Sequence, residues 1–466
     1  MDVDGAIRKF FNVIGTPYVK MEPSKRNLVH KVFFAIEVLL DMLVYLPFVL
    51  LQHLATRDEW NFQQLLVAAW CVCEIVFHAY CQLRVNQLKR KKKEIPIIEP
   101  RKRLELATTM CEHMMDPEAE LGGWLVGQQS EKLCIGDVSK WLIWAFFAKE
   151  PDMLTTGEWD EAEVILKMFK EKLGSERRWG SSWKGENKCL RPTLDAMEYK
   201  FRPLVMVMGL SFYKMALLWS WHMIGYEWHP GFPGFSYWVR EPVGEAEGET
   251  ILFLHGAGLG IYLYPVLLRS LARQHPNRRI LVPYVAAASN SVIEPHLLPQ
   301  EIMCGMDLLL KETNTTKVSI LAHSYGSIHA GWLAKHNPDC IAKVTLIDPV
   351  AFQTWDSVAT FVSTYSEPIN IVHHIFGIIS RDPFARAYLH SYWISNYIIT
   401  PEVFTAPTEI YIAERDWIVD SSRSYKYLID RKAKSNLDNL NVHLVDMSHG
   451  EYQLSPKYIA RFNADL

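Results

Sequence analysis

Lys317 to Ser327, read as KVSILAHSYGS, constrains this chain more than any other stretch. Val318-Ser319-Ile320-Leu321 is a short apolar run of strand length with β-branched residues. Ala322-His323-Ser324-Tyr325-Gly326 then turns, and Ile328, Ala330, Trp332, Leu333 and Ala334 follow with helical spacing. A strand that feeds a helix through a tight turn holding a serine predicts an α/β layer here. A serine hydroxyl is a weak nucleophile until a base activates it, and such a turn pushes it out towards one. Small residues two before and two after the serine let strand and helix approach. Gly326 and Ala322 both meet that need.

From Phe235 onward, short apolar runs alternate with helical lengths. The expected strands are Ser236–Arg240, Ile251–Leu254, Ile280–Val285, Val318–Leu321, Val344–Ile347, Glu409–Ala413 and Val442–Val445. Most are of the buried type that a parallel sheet requires. The first two are expected to form a hairpin, since only the turn around Pro242 to Gly248 separates them. In open α/β sheets, sites form at the carboxyl ends of strands. Four of these ends carry reactive or flexible residues: His255-Gly256-Ala257-Gly258, Ser324, Glu414-Arg415-Asp416, and Asp446-Met447-Ser448-His449-Gly450.

The chain order of glycine-rich loop, Ser, Asp and His resembles the α/β-hydrolase superfamily over residues 235–466. The elbow departs from the family pattern in one place, with Ala322 where the first glycine usually stands. The resemblance implies a mostly parallel central sheet flanked by helices, with a helical lid. It also implies Ser324 as nucleophile, His449 as base and Asp416 as the acid that holds the imidazole. The backbone amide of Tyr325 and one from the His255–Gly258 loop, at Gly256 or Ala257, would form the oxyanion hole. Asp348, just after the next strand in LIDPV, is the alternative acid, and Asp420 a further one. His255 and His323 adjoin the site and are read as structural or pocket-lining. A serine at the elbow separates the chain from the superfamily members that use an aspartate there. Residues 351–407 have the length of a lid and are rich in aromatics, with a helix over the pocket expected at Ala385–Ile399.

The first half has no such motif. Residues 1–95 hold two apolar segments, about Val32 to Leu54 and Leu65 to Cys81. Glu37, Asp41 and Pro47 interrupt the first, Glu74 and His78 the second. Lys25, Arg26 and Lys31 precede them, and Arg84 and the run Lys89 to Lys93 follow. A helical hairpin with both ends in the cytoplasm satisfies this charge pattern; a pair of buried helices in a soluble bundle is the alternative. Residues 96–234 read as a helical region and linker. In it, WLIWAFF (Trp141 to Phe147) is expected to be core, and the apolar stretch Leu204 to Trp228 to contact the domain or the bilayer surface. The Pro/Gly-rich joint His229 to Gly234 is taken as the domain boundary.

Composition narrows the remainder. The formal net charge of −3 exerts no pull towards nucleic acid. The eight cysteines form no CxxC pair and no Cys/His cluster at zinc spacing, so free thiols are expected. The acidic N-terminus MDVDGAIRKF does not resemble a cleavable signal or a transit peptide.

The expectation is therefore a membrane-associated serine hydrolase of the lipase or carboxylesterase kind, acting on a lipophilic ester, with neither metal nor organic cofactor. Its catalytic domain would face the cytosol, at the endoplasmic reticulum or a lipid droplet among the possible membranes. An acyltransferase or thioesterase would use the same residues, and a hydrolase-fold scaffold without activity is the reading from another class.

Overall fold

The computed structural model describes residues 3–15, 17–57, 59–91, 98–126, 135–174, 188–289, 295, 297–380 and 394–466. Its centre is an eight-stranded sheet. The strands are β1 (Tyr226–Phe232), β2 (Phe235–Arg240), β3 (Thr250–Leu254), β4 (Ile280–Val285), β5 (Val318–His323), β6 (Ile341–Ile347), β7 (Thr408–Arg415) and β8 (Leu440–Ser448). They lie in the order β1-β2-β4-β3-β5-β6-β7-β8. β1 with β2 and β2 with β4 are antiparallel, and the other neighbours are parallel. This is the mostly parallel, helix-flanked sheet of the α/β-hydrolase fold.

Period-two alternation sorts the strand side chains onto two faces. Leu252, Ile320 and Leu346 join one core; Ile251, Phe253 and Leu321 join the other. Both faces are covered, so every residue of β5 is buried.

The expected hairpin between residues 236–240 and 251–254 does not form. β4 lies between those strands. The turn after β2 is held by the loop before β4 instead, where Val243 N–H donates to Pro276 O at 2.8 Å and Glu247 N–H to Asn277 O at 2.9 Å. The hairpin partner of β2 is β1, in the stretch read as a joint. Pro230 is tolerated there because β1 is an edge strand, where a missing N–H need not break a ladder. The domain boundary drawn at 235 therefore falls inside a hairpin.

Helices α1 (Val3–Ile14), α2 (Pro23–Ala55), α3 (Phe62–Lys91), α4 (Pro100–His113), α5 (Pro117–Gly122), α6 (Ile135–Phe147), α7 (Thr156–Leu173) and α8 (Leu204–His222) precede the sheet. α6 carries WLIWAFF, and all seven of those residues are buried, as expected of core. A capping box between Thr155 and Glu158 starts α7. One continuous apolar core joins α4, α6 and α7 to the sheet. Polar contacts reinforce it: Trp124 Nε1 donates to Trp355 O at 2.6 Å, and His113 Nδ1 lies 2.7 Å from Tyr427 Oη.

α2, α3 and α8 behave differently. They are long and apolar enough to cross a membrane, and most of their apolar side chains are exposed. Phe34 is 72% exposed, Val49 62% and Trp219 69%. Unlike the buried pair that the alternative expects, these helices are not covered by the rest of the described chain. The acids that interrupt the runs have partners within the fold. Glu37 pairs with Lys200 and Arg202 at 3.1 and 3.3 Å, and Asp41 with Lys200 at 3.4 Å. Both oxygens of Glu74 accept from Leu204 N–H at the start of α8. The basic run beyond Lys91 lies outside the described residues.

After the sheet begins come α9 (Pro265–Gln274), α10 (Pro299–Glu312), α11 (Gly326–His336), α12 (Ser357–Thr360), α13 (Ile371–Ser380), α14 (Ser421–Lys434) and α15 (Pro456–Ala464). α12 and α13 lie within the expected lid. Most of the helix expected at Ala385–Ile399 lies outside the described residues, and Ile394–Asn396 is a single 3-10 turn. The seven described cysteines are free thiols.

Candidate active site

β5 runs straight into the turn that holds Ser324. Its φ of +51° lies in the left-handed region, which is strained for a residue with a Cβ. The surroundings fix it there: Ser324 N–H donates to Ile347 O at 2.9 Å, and Ser327 Oγ–H to Ser324 O at 2.6 Å. The approach of α11 demands Gly326, because a Cβ at that position would sit 2.2 Å from Leu254 O. Ala322, inside the strand, is accommodated and fully buried.

Ser324 Oγ lies 3.0 Å from His449 Nε2. His449 Nδ1 lies 2.7 Å from Asp416 Oδ2. The other carboxylate oxygen of Asp416 accepts from Ile418 N–H at 2.7 Å and Val419 N–H at 3.2 Å, which fixes its plane. The network assigns the proton to Nδ1 and leaves Nε2 to accept from the serine. Burial disfavours the charged imidazole, but the charge and hydrogen bond of Asp416, with the charge of Asp348, outweigh it and raise the pKa above the ordinary histidine value. Such an arrangement can take a proton from the serine and stabilise the imidazolium that results.

The alternative acids lie elsewhere. Asp348 is buried at φ +46°, and its Oδ2 accepts from Gly450 N–H at 2.8 Å rather than from the imidazole. Asp420 caps α14, accepting from Arg423 N–H at 3.0 Å.

The glycine-rich loop lies against the elbow. Gly256 N–H donates to Tyr264 Oη at 2.8 Å. That amide is therefore engaged within the fold, which leaves Ala257 as the other position named for the oxyanion loop. Ala257 and Tyr325 both line the cavity at Ser324. Gly258 continues the loop at φ +112°. His255 is fully buried and bonds within the fold, with Nδ1 2.9 Å from Gly256 O and Nε2 accepting from Val285 N–H at 3.3 Å. Burial pushes its pKa down to about 4, so it is neutral. His323 also lines the cavity, with Nδ1 2.7 Å from Tyr264 Oη.

The cavity at Ser324 has a volume of about 380 Å³. Leu263, Ile328, Phe352, Val372 and Trp417 give it apolar walls, and Gln353 and Thr360 add polar points. The segment from Val350 to Val372 supplies much of the lining, as expected of a lid. His373 lies against Trp417, with ring centroids 5.3 Å apart, and His374 stacks on Phe33 of α2 at 4.2 Å. Two wall residues, Tyr264 and Trp417, were not singled out from the sequence. Trp417 follows the acid directly, which is a usable signal; Tyr264 has none, because only the fold brings it to His323.

No family model and no curated protein matches the chain. Solved structures do match over about half of the chain. The naproxen esterase of Bacillus subtilis aligns at 11% identity and a TM-score of 0.37, covering 53% of this chain and 94% of its own. A putative lipase from Acinetobacter baumannii aligns at 13% and 0.39, covering 55% and 97%. A Vigna radiata epoxide hydrolase mutant aligns at 13% and 0.38, covering 52% and 98%. By its own strand order, with the serine elbow after β5 and the aspartate and histidine after β7 and β8, the second half of this chain carries the fold of the α/β-hydrolase superfamily.

Proposed function

We propose that this protein is a membrane-bound serine hydrolase that cleaves a lipophilic carboxylic ester through an acyl-enzyme. The observation that carries the proposal is the hydrogen-bonded line from Ser324 through His449 to Asp416, opening into an apolar cavity. Ser324 attacks the ester carbonyl while His449 takes its proton. The amides of Tyr325 and Ala257 receive the oxyanion, and His449 returns the proton to the departing alcohol. Water, activated by the same imidazole, then releases the acid. The apolar walls favour a long or bulky acyl group.

Fluorophosphonate labelling of separated membrane and soluble fractions tests this reading. Wild type should label in the membrane fraction and Ser324→Ala should not. A folded wild type that stays unlabelled with lipid or detergent present would favour the scaffold reading. Ester transfer to an added alcohol in preference to water would make it an acyltransferase.

The helices also support a particular membrane topology. α1 is tied to the domain near His449, through an Arg8–Asp446 ion pair and a 2.5 Å bond from Arg415 to Asn12. α4 belongs to the domain core. The segments before α2 and after α3 are therefore on one side, so a crossing by α2 must be reversed by α3. A single crossing by α8 would divide that core between the two sides of the bilayer, so α8 lies along the surface. Tyr213 Oη–H donates to Tyr262 O at 3.0 Å and Lys214 to Ser289 O at 3.2 Å, which holds one flank of α8 against the domain. Lys25, Arg26 and Lys31 support a cytosolic side for the domain.

Single cysteines in a background without Cys73 and Cys304 give the check. In sealed vesicles with the domain outside, Glu105→Cys and Glu227→Cys should react with an impermeant maleimide. Glu59→Cys, at the hairpin tip, should react only after permeabilisation. Opposite accessibility of positions 105 and 227 would overturn the topology.

A further inference from the structure

Behind the Ser324–His449–Asp416 line runs a second chain of buried polar groups. It begins at the glycine-rich loop, where Gly256 N–H donates to Tyr264 Oη at 2.8 Å. Tyr264 Oη lies 2.7 Å from His323 Nδ1. A phenol that accepts from an amide has its own proton free to donate, so Nδ1 accepts and the proton of His323 sits on Nε2. Nε2 faces Asp348 Oδ2 at 3.6 Å, a charge contact longer than a hydrogen bond. The same Oδ2 accepts from Gly450 N–H at 2.8 Å, and Gly450 follows His449. The chain thus runs from the loop that bears Ala257 to the loop that bears the base.

All three side chains are nearly inaccessible: Tyr264 is 0% exposed, His323 4% and Asp348 1%. Burying three polar groups beside one another is costly unless each is held. Gly256 makes the contact possible, since a Cβ there would lie 2.9 Å from Tyr264 Oη and 3.2 Å from His323 Nδ1. Burial lowers the pKa of His323 and raises that of Tyr264, so both are neutral at physiological pH.

We propose that Tyr264, His323 and Asp348 are positioning residues that lock the oxyanion loop to the loop of His449, and that Asp348 supplies a second negative charge to the imidazolium formed during the reaction. The proposal rests on the triad reading above. Charged and titratable groups approach His449 from several elements. Asp416 comes from the end of β7, Asp348 from β6 and neutral His323 from β5. Glu451, next but one in the chain, is engaged by Arg415 at 3.2 Å and by Ser448 N–H at 2.8 Å. Asp348 differs from Glu451 in coming from another strand and in having no arginine partner among the described ion pairs, while accepting from the amide next to His449.

The test is kinetics of the full-length protein in detergent, on a p-nitrophenyl ester and a fluorophosphonate, with Asp348→Asn and Tyr264→Phe. The base acts when neutral, so the rate rises with pH through the pKa of His449. Removing a nearby negative charge lowers that pKa. Asp348→Asn should therefore move the acid-side midpoint of kcat/KM to lower pH by about half to one unit. It should also cut kcat about tenfold, with KM unchanged. An asparagine carbonyl still accepts from Gly450, which separates the charge from the shape. Tyr264→Phe keeps the ring packing and should cut kcat to a similar extent without moving the midpoint. Thermal melts confirm that each variant is folded. An unmoved midpoint in Asp348→Asn, or full kcat in Tyr264→Phe, would overturn the proposal while the triad stands. Loss of all labelling in Asp348→Asn would make it the triad acid, and retained labelling in Ser324→Ala would remove the triad itself.

Discussion

Asp416→Asn is expected to leave the protein folded and to lower kcat by about 10³- to 10⁴-fold. The geometry gives the reason. One oxygen of Asp416 already takes two backbone amides, from Ile418 and Val419. In an asparagine the carbonyl oxygen keeps that place and the amide nitrogen turns towards His449 Nδ1. An N–H cannot accept from Nδ1–H, so the imidazole shifts its proton to Nε2. Nε2 then presents a donor to Ser324 Oγ and can no longer receive its proton. The hydrogen-bonded frame survives while the base is disabled, so the loss should appear in kcat more than in KM. Hydrolysis of a p-nitrophenyl ester by purified protein, with a thermal melt beside it, checks this. Activity within tenfold of wild type would mean that the imidazole draws its orientation from another acid.

The choice between the two aspartates was legible in the sequence only as far as position along the strands allowed. Asp348 and Asp416 both follow a strand that ends near Ser324, and only the family's usual strand position, with Ile418 and Val419 behind Asp416, favoured the latter. What separates them is direction: Asp416 reaches Nδ1, whereas Asp348 reaches the amide of Gly450 one residue beyond the ring. Sheet order sets that difference, since β7 rather than β6 lies beside β8, and sheet order is not a local property. The same holds for the misread hairpin. Turn composition around Pro242 to Gly248 predicted that residues 236–240 and 251–254 would pair, but β4, distant in sequence, occupies the place between them. The elbow was readable because strand, turn and helix are contiguous there and each constrains the next. Tyr264 was not readable because its role exists only across three segments, at Gly256, at His323 and on its own loop.

In the first half the sequence displayed the charges but not their purpose. Glu37, Asp41 and Glu74 read as interruptions that weakened the apolar runs. In the fold they bind Lys200, Arg202 and the free amide at the start of α8, so the hairpin is fastened to the domain by the groups that made it look less apolar. Each of the three carboxylates thus has a partner within the fold. Arg202 also reaches the Gly377 carbonyl of α13 at 3.5 Å, while Phe33 stacks on His374 of the same helix. α13 contributes Val372 to the cavity wall. The hairpin and the wall of the cavity are thus in direct contact, and under the proposed function that contact would join the bilayer to the substrate space.

Gly326→Ala is expected to be the most damaging single methyl group in the domain. Its Cβ would lie 2.2 Å from Leu254 O, 2.7 Å from Leu254 C and 3.0 Å from His255 O. These are backbone atoms at the end of β3, so no rotamer change relieves the clash. α11 and β3 must separate, at an expected cost of about 1–3 kcal/mol or more. The separation also acts on the chemistry. β3 leads into the loop with Ala257, and the turn into α11 carries Ser324 and Tyr325. Ser324 and Tyr325 would therefore move away from Ala257, and a displacement of about 1 Å can cost a hundredfold in rate. Gly157→Ala in α7 is the control, because nothing lies within 4 Å of its Cβ and alanine is the better helix former. The melting temperature and the fluorophosphonate labelling rate should both fall in Gly326→Ala and stay at wild-type values or above in Gly157→Ala. If Gly326→Ala labels at the wild-type rate, the elbow does not need the close approach between α11 and β3, and the smallness of Ala322 and Gly326 has another cause.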